Sequence, residues 1–547
     1  MPLDVSPFEL LNTAAFLLCV TFCAYVISIL VLYLRAARLL GGDHTTYDWH
    51  IVVPCLNEEA VIGGTVERLL RDFPRATLWC VDDNSDDRTA EILAGFATDP
   101  RVRLVRRVAP EARQGKGAAL NAAWRAINTH LPADVDRSRV IVGVIDADSR
   151  LDPRCLCALT GPRYFGTDEV AAVQIEVRML QCGPEAEEQP PSPWWPRLLV
   201  RLQDMEFRGP IAAMQELRRR TGSVGMGGNG QFTRMSMLDR IAVDHGTPWH
   251  GALLEDFELG LHVLLGGGRT EYCPESWVAQ EAITGLRSLI RQRTRWAQGS
   301  MQCVRYAGAV LRSRRIRNSA ALEIVYFLAA PWMQLLGTLV YLACLTVLGY
   351  YIREAVHGIG GWWRHGGWGI VPLVLLFGIA PFTVWGLAYR ARCEPGLRLV
   401  TAVGLGLGHW LYSYVQSIAV WLALARLVRS RTDWQKTARA ADPVRPPARH
   451  RPPKAPRASK QTRPTEKSHP TNSRPEIRTA TSRKQSVDAQ NKIQIHPLHD
   501  GGGRRYRPGR AGGDTGDGGH LPVGGVRAAD RPRGGRHRQL RHGQRHQ

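Results

Sequence analysis

Four long stretches of the chain contain no charged residue: 10–34, 324–352, 366–389 and 399–425. About 20 apolar residues let a helix cross the hydrocarbon core of a membrane, and each stretch is longer than that. The pattern therefore excludes an entirely soluble protein. It predicts one transmembrane helix at residues 8–34 and about three more within residues 320–428.

The charges around the first apolar stretch indicate its direction. Asp4 and Glu9 precede it, whereas Arg35 and Arg38 follow it. Positive residues concentrate on the cytoplasmic side of membrane helices. We therefore expect a multi-pass plasma-membrane protein whose next domain is cytoplasmic. A cleaved signal peptide is the competing interpretation, but the stretch is long for one and its basic residues follow it.

Between the apolar stretches lies a block, residues 43–318, in which short β-branched segments alternate with helical periodicity. This alternation is typical of an α/β fold with a mostly parallel sheet. The predicted strands are 50–54, 77–82, 102–105 and 140–146, and the predicted helices are 58–73, 89–97 and 117–128.

Acidic residues follow three of these strands directly. Glu58 comes just after the first strand, Asp82 and Asp83 end the second, and Asp146 and Asp148 follow the fourth. Ligands of open α/β sheets bind beyond the carboxyl ends of the strands. We therefore expect these carboxylates to meet at one ligand site.

Two segments mix arginine with aromatic residues, at 194–220 and 286–317. Such a mixture suits a helix at the membrane surface, although an ordinary surface helix would also fit.

The direction of the last helices stays open. Three crossings after the block would leave the end of the 399–425 stretch outside, yet basic residues follow that stretch and favour the cytoplasm. One apolar stretch would then lie flat or form a hairpin.

Charge separates the C-terminal region from the rest. The net charge of the chain is +22, and residues 441–547 hold 24 Lys and Arg against 8 Asp and Glu. This region is rich in Pro, Gly and Arg and has Tyr506 as its single aromatic residue. We expect a disordered basic tail that anionic lipids attract, with no specific nucleic-acid partner. A tail without any selected function fits equally well.

The eleven cysteines are scattered without paired spacing, which favours reduced thiols.

Four short motifs occur in a fixed order: Asp82-Asp83, Asp146-Ala147-Asp148, Glu255-Asp256 and Gln292-Arg293-Thr294-Arg295-Trp296. Each alone has an ordinary structural explanation, such as a helix cap, a first helical turn or a cation–π pair between Arg295 and Trp296. Together, between membrane segments, they favour a catalytic site.

The acidic motifs predict a metal. Two carboxylates one residue apart on a loop suit Mg²⁺ or Mn²⁺, which bridge such groups to substrate phosphates. Without a cation this acidic edge would repel a diphosphate, and Lys116 adds a further positive donor. The sequence has no Gly-x-x-x-x-Gly-Lys-Ser/Thr pattern of P-loop enzymes, and no Gly-x-Gly-x-x-Gly pattern follows the first predicted strand, where dinucleotide oxidoreductases carry it.

The ordered motifs, above all Gln292-x-x-Arg295-Trp296, resemble those of the membrane-embedded family 2 glycosyltransferases of the processive type. Cellulose, chitin, hyaluronan and poly-N-acetylglucosamine synthases form this group. The resemblance covers residues 1–440 and implies a GT-A nucleotide-sugar-binding domain joined to transmembrane helices. It departs from the family pattern at Leu254, where a threonine is usual.

The resemblance also implies roles for single residues. Asp256 is the catalytic base, and Asp146 and Asp148 bind the metal. The acceptor is bound by Trp296, Asn229 and Glu255. The nucleotide sugar, UDP- or GDP-linked, is bound by Pro54, Asn57, Glu58, Asp82, Asp83, Lys116, Asp146, Gln292 and Arg295.

The expected activity is inverting, metal-dependent transfer of a hexose to a growing β-linked polysaccharide at the cytoplasmic membrane face. A single general base without a covalent nucleophile implies inversion. Two alternatives stay open: transfer of one sugar to a lipid acceptor, and a non-enzymatic membrane scaffold with a basic tail. The sequence does not identify the donor sugar.

Overall fold

A computed structural model describes residues 7–36, 41–180, 193–355 and 357–430. The basic region 441–547, predicted as a disordered tail, lies outside these residues. The strands are β1 Asp48–Cys55, β2 Thr77–Asp82, β3 Val102–Arg106, β4 Val140–Val144, β5 Arg150–Leu151, β6 Val170–Met179, β7 Gln231–Arg234 and β8 Arg269–Gln280.

The helices of the α/β block surround this sheet. They are α2 Ile62–Asp72, α3 Thr89–Phe96, α4 Lys116–His130, α5 Cys155–Leu159, α6 Trp194–Glu206, α7 Ala212–Thr221, α8 Met235–His245, α9 Glu255–Leu265, α10 Leu286–Cys303 and α11 Ala307–Arg312. The remaining helices are α1 Pro7–Leu34, α12 Asn318–Glu354, α13 Gly358–Arg364, α14 Ile370–Leu373, α15 Ala380–Arg392 and α16 Leu399–Val428.

All eight strands form one sheet with the order β3-β2-β1-β4-β7-β6-β8-β5. The first four neighbours pair in parallel, and β7 is antiparallel to both β4 and β6. The predicted α/β fold with a mostly parallel sheet is thus confirmed. The strands predicted from β-branched runs agree with β1 to β4 to within two residues.

Alternate side chains of β1 fill the two sides of the sheet. Val52 packs with α4 residues such as Leu120, whereas Ile51 and Val53 pack with α2 residues such as Val66. Helices on both faces bury a parallel sheet completely. The carboxyl ends of β1, β2 and β4 therefore emerge together at one edge, which positions the acidic segments.

Four helices in the described part of the chain are long and apolar enough to cross a membrane: Glu9–Leu34, Asn318–Glu354, Gly367–Arg392 and Leu399–Val428. They coincide with the four uncharged stretches of the sequence. The third comprises a 3₁₀ turn, α14, a π segment at Val374–Ile379 and α15. α12 continues through Pro331 without interruption, and α16 has no bend at its glycine-rich start.

Three of these helices contact the α/β block at one end only. The buried residues of α1 lie in its second half, those of α12 end at Leu335, and those of the third helix begin at Pro381. Their other ends are exposed.

α16 differs, because it follows the block along its length. A Cβ on Gly408 would lie 3.3 Å from Leu202 of α6. Arg426 Nε donates a 2.8 Å hydrogen bond to Gln298 Oε1 of α10. These two contacts are eighteen residues apart, which corresponds to about 27 Å of helix.

The 194–220 segment is helical but only partly fits a membrane-surface helix. Trp194 and Trp195 at its start are 70% and 43% exposed. Arg208 and Arg218, in contrast, are buried in ion pairs with Asp204 and Glu323. Their charges therefore serve contacts within the protein rather than lipid headgroups.

Candidate active site

One cavity of about 500 Å³ opens at the carboxyl edge of the sheet. It extends from the strand ends past α9 and α10 to α12 and α16. Twelve of the fourteen residues proposed from the sequence line it: Pro54, Glu58, Asp83, Lys116, Asp146, Asp148, Asn229, Glu255, Asp256, Gln292, Arg295 and Trp296. The fold thus brings together motifs that lie up to 242 residues apart, between Pro54 and Trp296.

Two predicted residues, Asn57 and Asp82, lie beside the cavity rather than on its wall. Asn57 Oδ1 accepts a 2.8 Å hydrogen bond from the Asp86 amide. Asp82 Oδ1 accepts one of 3.2 Å from the Ser85 amide. Both side chains shape the loop after β2, so their contact with a nucleotide stays a prediction.

Asp83 forms the cavity wall at the end of β2 and is 5% exposed. Its carboxylate makes an ion pair with Arg107 and accepts a 3.0 Å hydrogen bond from the Arg113 amide. A buried carboxylate is stable only when paired in this way. Arg107 was not singled out in the sequence, because nothing in its spacing links it to Asp83.

The Asp146-x-Asp148 turn follows β4 and is held from two sides. Asn229 Oδ1 accepts a 3.2 Å hydrogen bond from the Asp146 amide. The Glu281 amide donates to Asp148 Oδ2 at 3.1 Å. Lys116 Nζ lies 2.6 Å from Asp146 Oδ1. Asn229, proposed as an acceptor ligand, thus also positions the acidic turn.

This turn fits a hard divalent cation. Asp146 and Asp148 offer carboxylate oxygens to the same cavity, the donors that Mg²⁺ and Mn²⁺ prefer. Within the described residues, no cluster of three or more His, Cys, Asp or Glu side chains could hold a metal ion. A cation here would therefore take its remaining ligands from substrate phosphates and water, as Mg²⁺ usually does.

Asp256 lies in the first turn of α9 and faces the cavity. Its Oδ1 accepts a 2.7 Å hydrogen bond from the Phe257 amide. Gly228 approaches from the opposite wall with φ +75°, and a Cβ there would lie 2.5 Å from Asp256 Oδ2. Only glycine combines this backbone conformation with this close approach.

Burial and the charge of Glu255 raise the pKa of Asp256 to about 7, while Lys116, the Phe257 amide and Arg295 act in the opposite direction. Desolvation thus outweighs the neighbouring cations. A base with a pKa near neutrality suits proton transfer at physiological pH.

The pKa of Lys116 moves upward from its usual value. Burial alone would lower it, but the charges of Asp146, Glu255 and Asp256 outweigh that effect. Lys116 therefore stays a cation between the acidic turn and Asp256. Its Nζ also donates a 3.3 Å hydrogen bond to the Gly228 carbonyl.

Arg293 is a site residue that sequence reasoning missed. It is 1% exposed and donates to Glu206 Oε2 at 2.6 Å and to the Tyr412 hydroxyl at 3.2 Å. Its guanidinium lies 4.1 Å from the centre of the Trp296 ring. The cation–π partner of Trp296 is therefore Arg293, and not Arg295 as the sequence alternative had it. The spacing of three residues on a helix could have indicated this.

Leu254, where the resembling family has threonine, contacts α10 through its backbone. A Cβ on Gly299 would lie 2.6 Å from the Leu254 amide nitrogen. Next to it, Gln302 Oε1 accepts a 2.9 Å hydrogen bond from the Leu253 amide. The helix that bears Gln292, Arg295 and Trp296 is thus fitted directly against the segment that presents Asp256.

Comparison with known proteins agrees with this geometry. Residues 48–299 match the family model described as "Glycosyltransferase like family 2". A beta-monoglucosyldiacylglycerol synthase from Synechocystis is 32% identical over 277 residues, covering 49% of this chain and 51% of the relative. An N-acetylglucosaminyltransferase from Rhizobium meliloti is 26% identical over 329 residues, covering 54% of this chain and 70% of that protein. The alignment spans about half the length of the first of these relatives.

Among solved structures, a mannosyltransferase from Pyrobaculum calidifontis, in complex with GDP-Man and Mn²⁺, aligns with a TM-score of 0.46 at 16% identity. The alignment covers 76% of this chain and 99% of that protein. The family match, the sheet order and the cavity at the carboxyl ends of its strands lead to one conclusion. Residues 48–299 form a glycosyltransferase domain with the GT-A fold, and this part of the chain is similar to family 2 glycosyltransferases.

Proposed function

We propose that this protein is a membrane enzyme that transfers one sugar from a nucleotide sugar to the hydroxyl of a membrane lipid. The observation that carries the proposal is the composition of the cavity wall. Asp148 and Asp256 line one part, and Phe327, Pro331 and Gln416 of the apolar helices α12 and α16 line another. An acceptor that arrives from the bilayer would meet the reactive groups there.

The strand edge is the donor end in this proposal. Pro54, Glu58 and Asp83 line the part of the cavity where the nucleoside would bind, and Asp146 and Asp148 would hold a divalent cation for the diphosphate. The cation supplies positive charge where the leaving group becomes negative. Lys116 and Arg295 add fixed positive charge at the same end, which stabilises the departing diphosphate.

Asp256 takes the proton from the acceptor hydroxyl as that oxygen attacks the anomeric carbon. A single base, acting without a covalent sugar–enzyme intermediate, gives inversion, so an α-linked donor yields a β-linked product. Trp296, held by Arg293 beneath it, offers a flat apolar surface beside the acceptor sugar or hydroxyl.

The relatives support a lipid acceptor over a polymer. Three of them, from Synechocystis, Trichormus variabilis and Nostoc, are beta-monoglucosyldiacylglycerol synthases. We therefore favour diacylglycerol as the acceptor and glucose as the sugar. Extension of a polysaccharide, the first expectation from the sequence, is the second candidate, because an N-acetylglucosaminyltransferase is also among the relatives.

We further propose a multi-pass location in the plasma membrane with the α/β block in the cytoplasm. The charges at 35 and 38, after the first apolar stretch, support this orientation.

The test uses the purified full chain in mixed micelles with a panel of UDP- and GDP-sugars. We expect nucleoside diphosphate release that depends on diacylglycerol, with a product of one sugar on one lipid by mass spectrometry. A product that lengthens with time would favour the polymer instead. Excess chelator should remove the activity and Mn²⁺ or Mg²⁺ should restore it. If no donor releases its nucleotide, the proposed activity is wrong.

A further inference from the structure

The half of the cavity next to α12 and α16, which we call the acceptor half, has a buried charged side chain in its wall. Arg218 of α7 lines it and is only 3% exposed. Its guanidinium lies 4.2 Å from the centre of the Phe327 ring, which belongs to α12 and lines the same wall. A fully buried arginine is rare, so its charge and its hydrogen bonds have to be accounted for.

The charge of Arg218 is balanced inside the protein. Its Nε donates a 2.8 Å hydrogen bond to Glu323 Oε1, and the Ser223 hydroxyl donates to Glu323 Oε2 at 2.9 Å. Glu323 is 6% exposed and stands behind the wall, outside the set of lining residues. The second buried cation of this half, Arg293, is paired in the same way with Glu206. The acceptor half is thus electrically neutral although two arginines form part of its wall.

Hydrogen-bonding capacity nevertheless remains there. Among the described residues, no protein group accepts a hydrogen bond from Arg218 Nη2, and the buried hydroxyl of Ser300 has no partner either. Both residues line the cavity, and Ser300 is 5% exposed. Buried polar atoms in this condition cost stability unless a ligand or water satisfies them. Ile211, Met214 and Val420 supply apolar surface beside them.

From these contacts we infer that this half is a subsite for an uncharged glycerolipid and that Glu323 sets its preference against anionic lipids. Arg218 Nη2 and Ser300 donate to neutral ester or hydroxyl oxygens of the acceptor, and the apolar wall takes the first carbons of its chains. An anionic headgroup would enter a low-dielectric space whose cations already have partners, with the carboxylate of Glu206 on the wall and that of Glu323 behind it. This inference rests on the proposed transfer to lipid and adds the residues that select an uncharged acceptor.

The test compares two hydroxyl-bearing acceptors, neutral diacylglycerol and anionic phosphatidylglycerol, in the same neutral micelles. For the wild-type chain we expect kcat/KM to favour diacylglycerol at least 100-fold. Glu323→Gln removes the balancing charge without touching the wall, so Arg218 becomes a net cation. That variant should reduce the preference at least tenfold through improved use of phosphatidylglycerol, a gain that misfolding cannot produce.

A matched control is Glu394→Gln. Glu394 pairs with Arg201 of α6 but does not line the cavity, so its loss should leave the preference unchanged. The double variant R218M/E323Q keeps neutrality and loses the donor, because methionine has no N–H group. It should raise the KM for diacylglycerol about tenfold or more while nucleotide affinity stays the same.

The outcomes separate the two proposals. Nucleotide release without transfer to any lipid would contradict the proposed function. Lipid transfer with equal use of both acceptors, or a lipid preference that Glu323→Gln does not move in a variant of normal nucleotide affinity, would overturn the neutral subsite alone.

Discussion

At the scale of single residues, Asp256 and Asp148 face the same cavity but are held by different segments. Asp148 belongs to the turn after β4, and Asp256 to the start of α9. We predict that Asp256→Asn lowers turnover by about 10²- to 10⁴-fold, the usual value of a general base, because the amide cannot take the proton. Nucleotide affinity, measured by titration calorimetry, should change little.

Asp148→Ala is the counterpart to that variant. It removes a proposed metal ligand, so it should weaken donor binding as well as turnover. If Asp256→Asn instead kept more than about a tenth of the activity, against the 10²-fold minimum for a lost base, the proton would go to another group, and Glu255 or Glu258 would be the next candidate.

The raised pKa of Asp256 predicts a pH dependence. A carboxylate with a pKa of about 7 is protonated in acid and cannot act as a base, so kcat/KM, which reports the free enzyme, should fall about tenfold per unit below that pH. Glu255→Gln removes the neighbouring charge that helps to raise this pKa. The midpoint of the kcat/KM profile should then move to lower pH.

Glu67→Gln, on the exposed face of α2, is the control and should leave the midpoint in place. An unchanged midpoint in Glu255→Gln would mean that the measured ionisation belongs to another group.

At the scale of elements, Gly299 allows α10 to pack directly against the segment before α9. A Cβ on Gly299 would lie 2.6 Å from the Leu254 nitrogen, a backbone atom that cannot turn aside. We predict that Gly299→Ala displaces α10 and lowers kcat at least tenfold. Overpacking of this kind costs about 1–3 kcal/mol of stability. Gly337→Ala in α12, where nothing lies within 4 Å, should have neither effect. Turnover and thermal unfolding of both variants decide the matter.

The elements also mark what could be predicted from the sequence. Ile51 and Val52 belong to a β-branched segment that predicts a strand. Asp146 is at the carboxyl end of another predicted strand, where open α/β sheets bind ligands. Such signals are local. The pairing of Arg293 with Glu206 joins residues 87 positions apart, and that of Arg218 with Glu323 joins residues 105 apart. No spacing rule connects these partners, since only the packing of α6, α7, α10 and α12 brings them together.

At the scale of the whole molecule, the contacts of α16 bear on which side of the membrane its C-terminal end lies, a question that the charge pattern left open. Gly408 and Arg426 both contact the α/β block, although about 27 Å of helix separates them. A helix that crossed the bilayer would leave the block at one end. We therefore predict that α1, α12 and the Gly367–Arg392 helix cross the membrane, and that α16 lies along its cytoplasmic surface.

Cysteine labelling tests this arrangement, in a background in which Cys182 and the two thiols that are exposed among the described residues, Cys19 and Cys157, are replaced by serine. An impermeant maleimide should reach Ser430→Cys only from the cytoplasmic side, like Asp134→Cys on the block. Arg364→Cys, in the connection after α12, should react from the opposite side. Reaction of Ser430→Cys and Arg364→Cys from the same side would disprove the arrangement.

The joint wall of the cavity has a consequence for protein engineering. Phe327 and Gln416 come from helices outside the 48–299 match, and Tyr412 supports Arg293 from α16. The glycosyltransferase domain is therefore not a portable module. A chimera that joined residues 48–299 to foreign membrane helices would lose the part of its acceptor pocket that α12 and α16 line. The buried Arg293 would also lose its hydrogen bond to the Tyr412 hydroxyl. To exchange acceptor specificity between relatives, α7, α10, α12 and α16 would have to be transferred together.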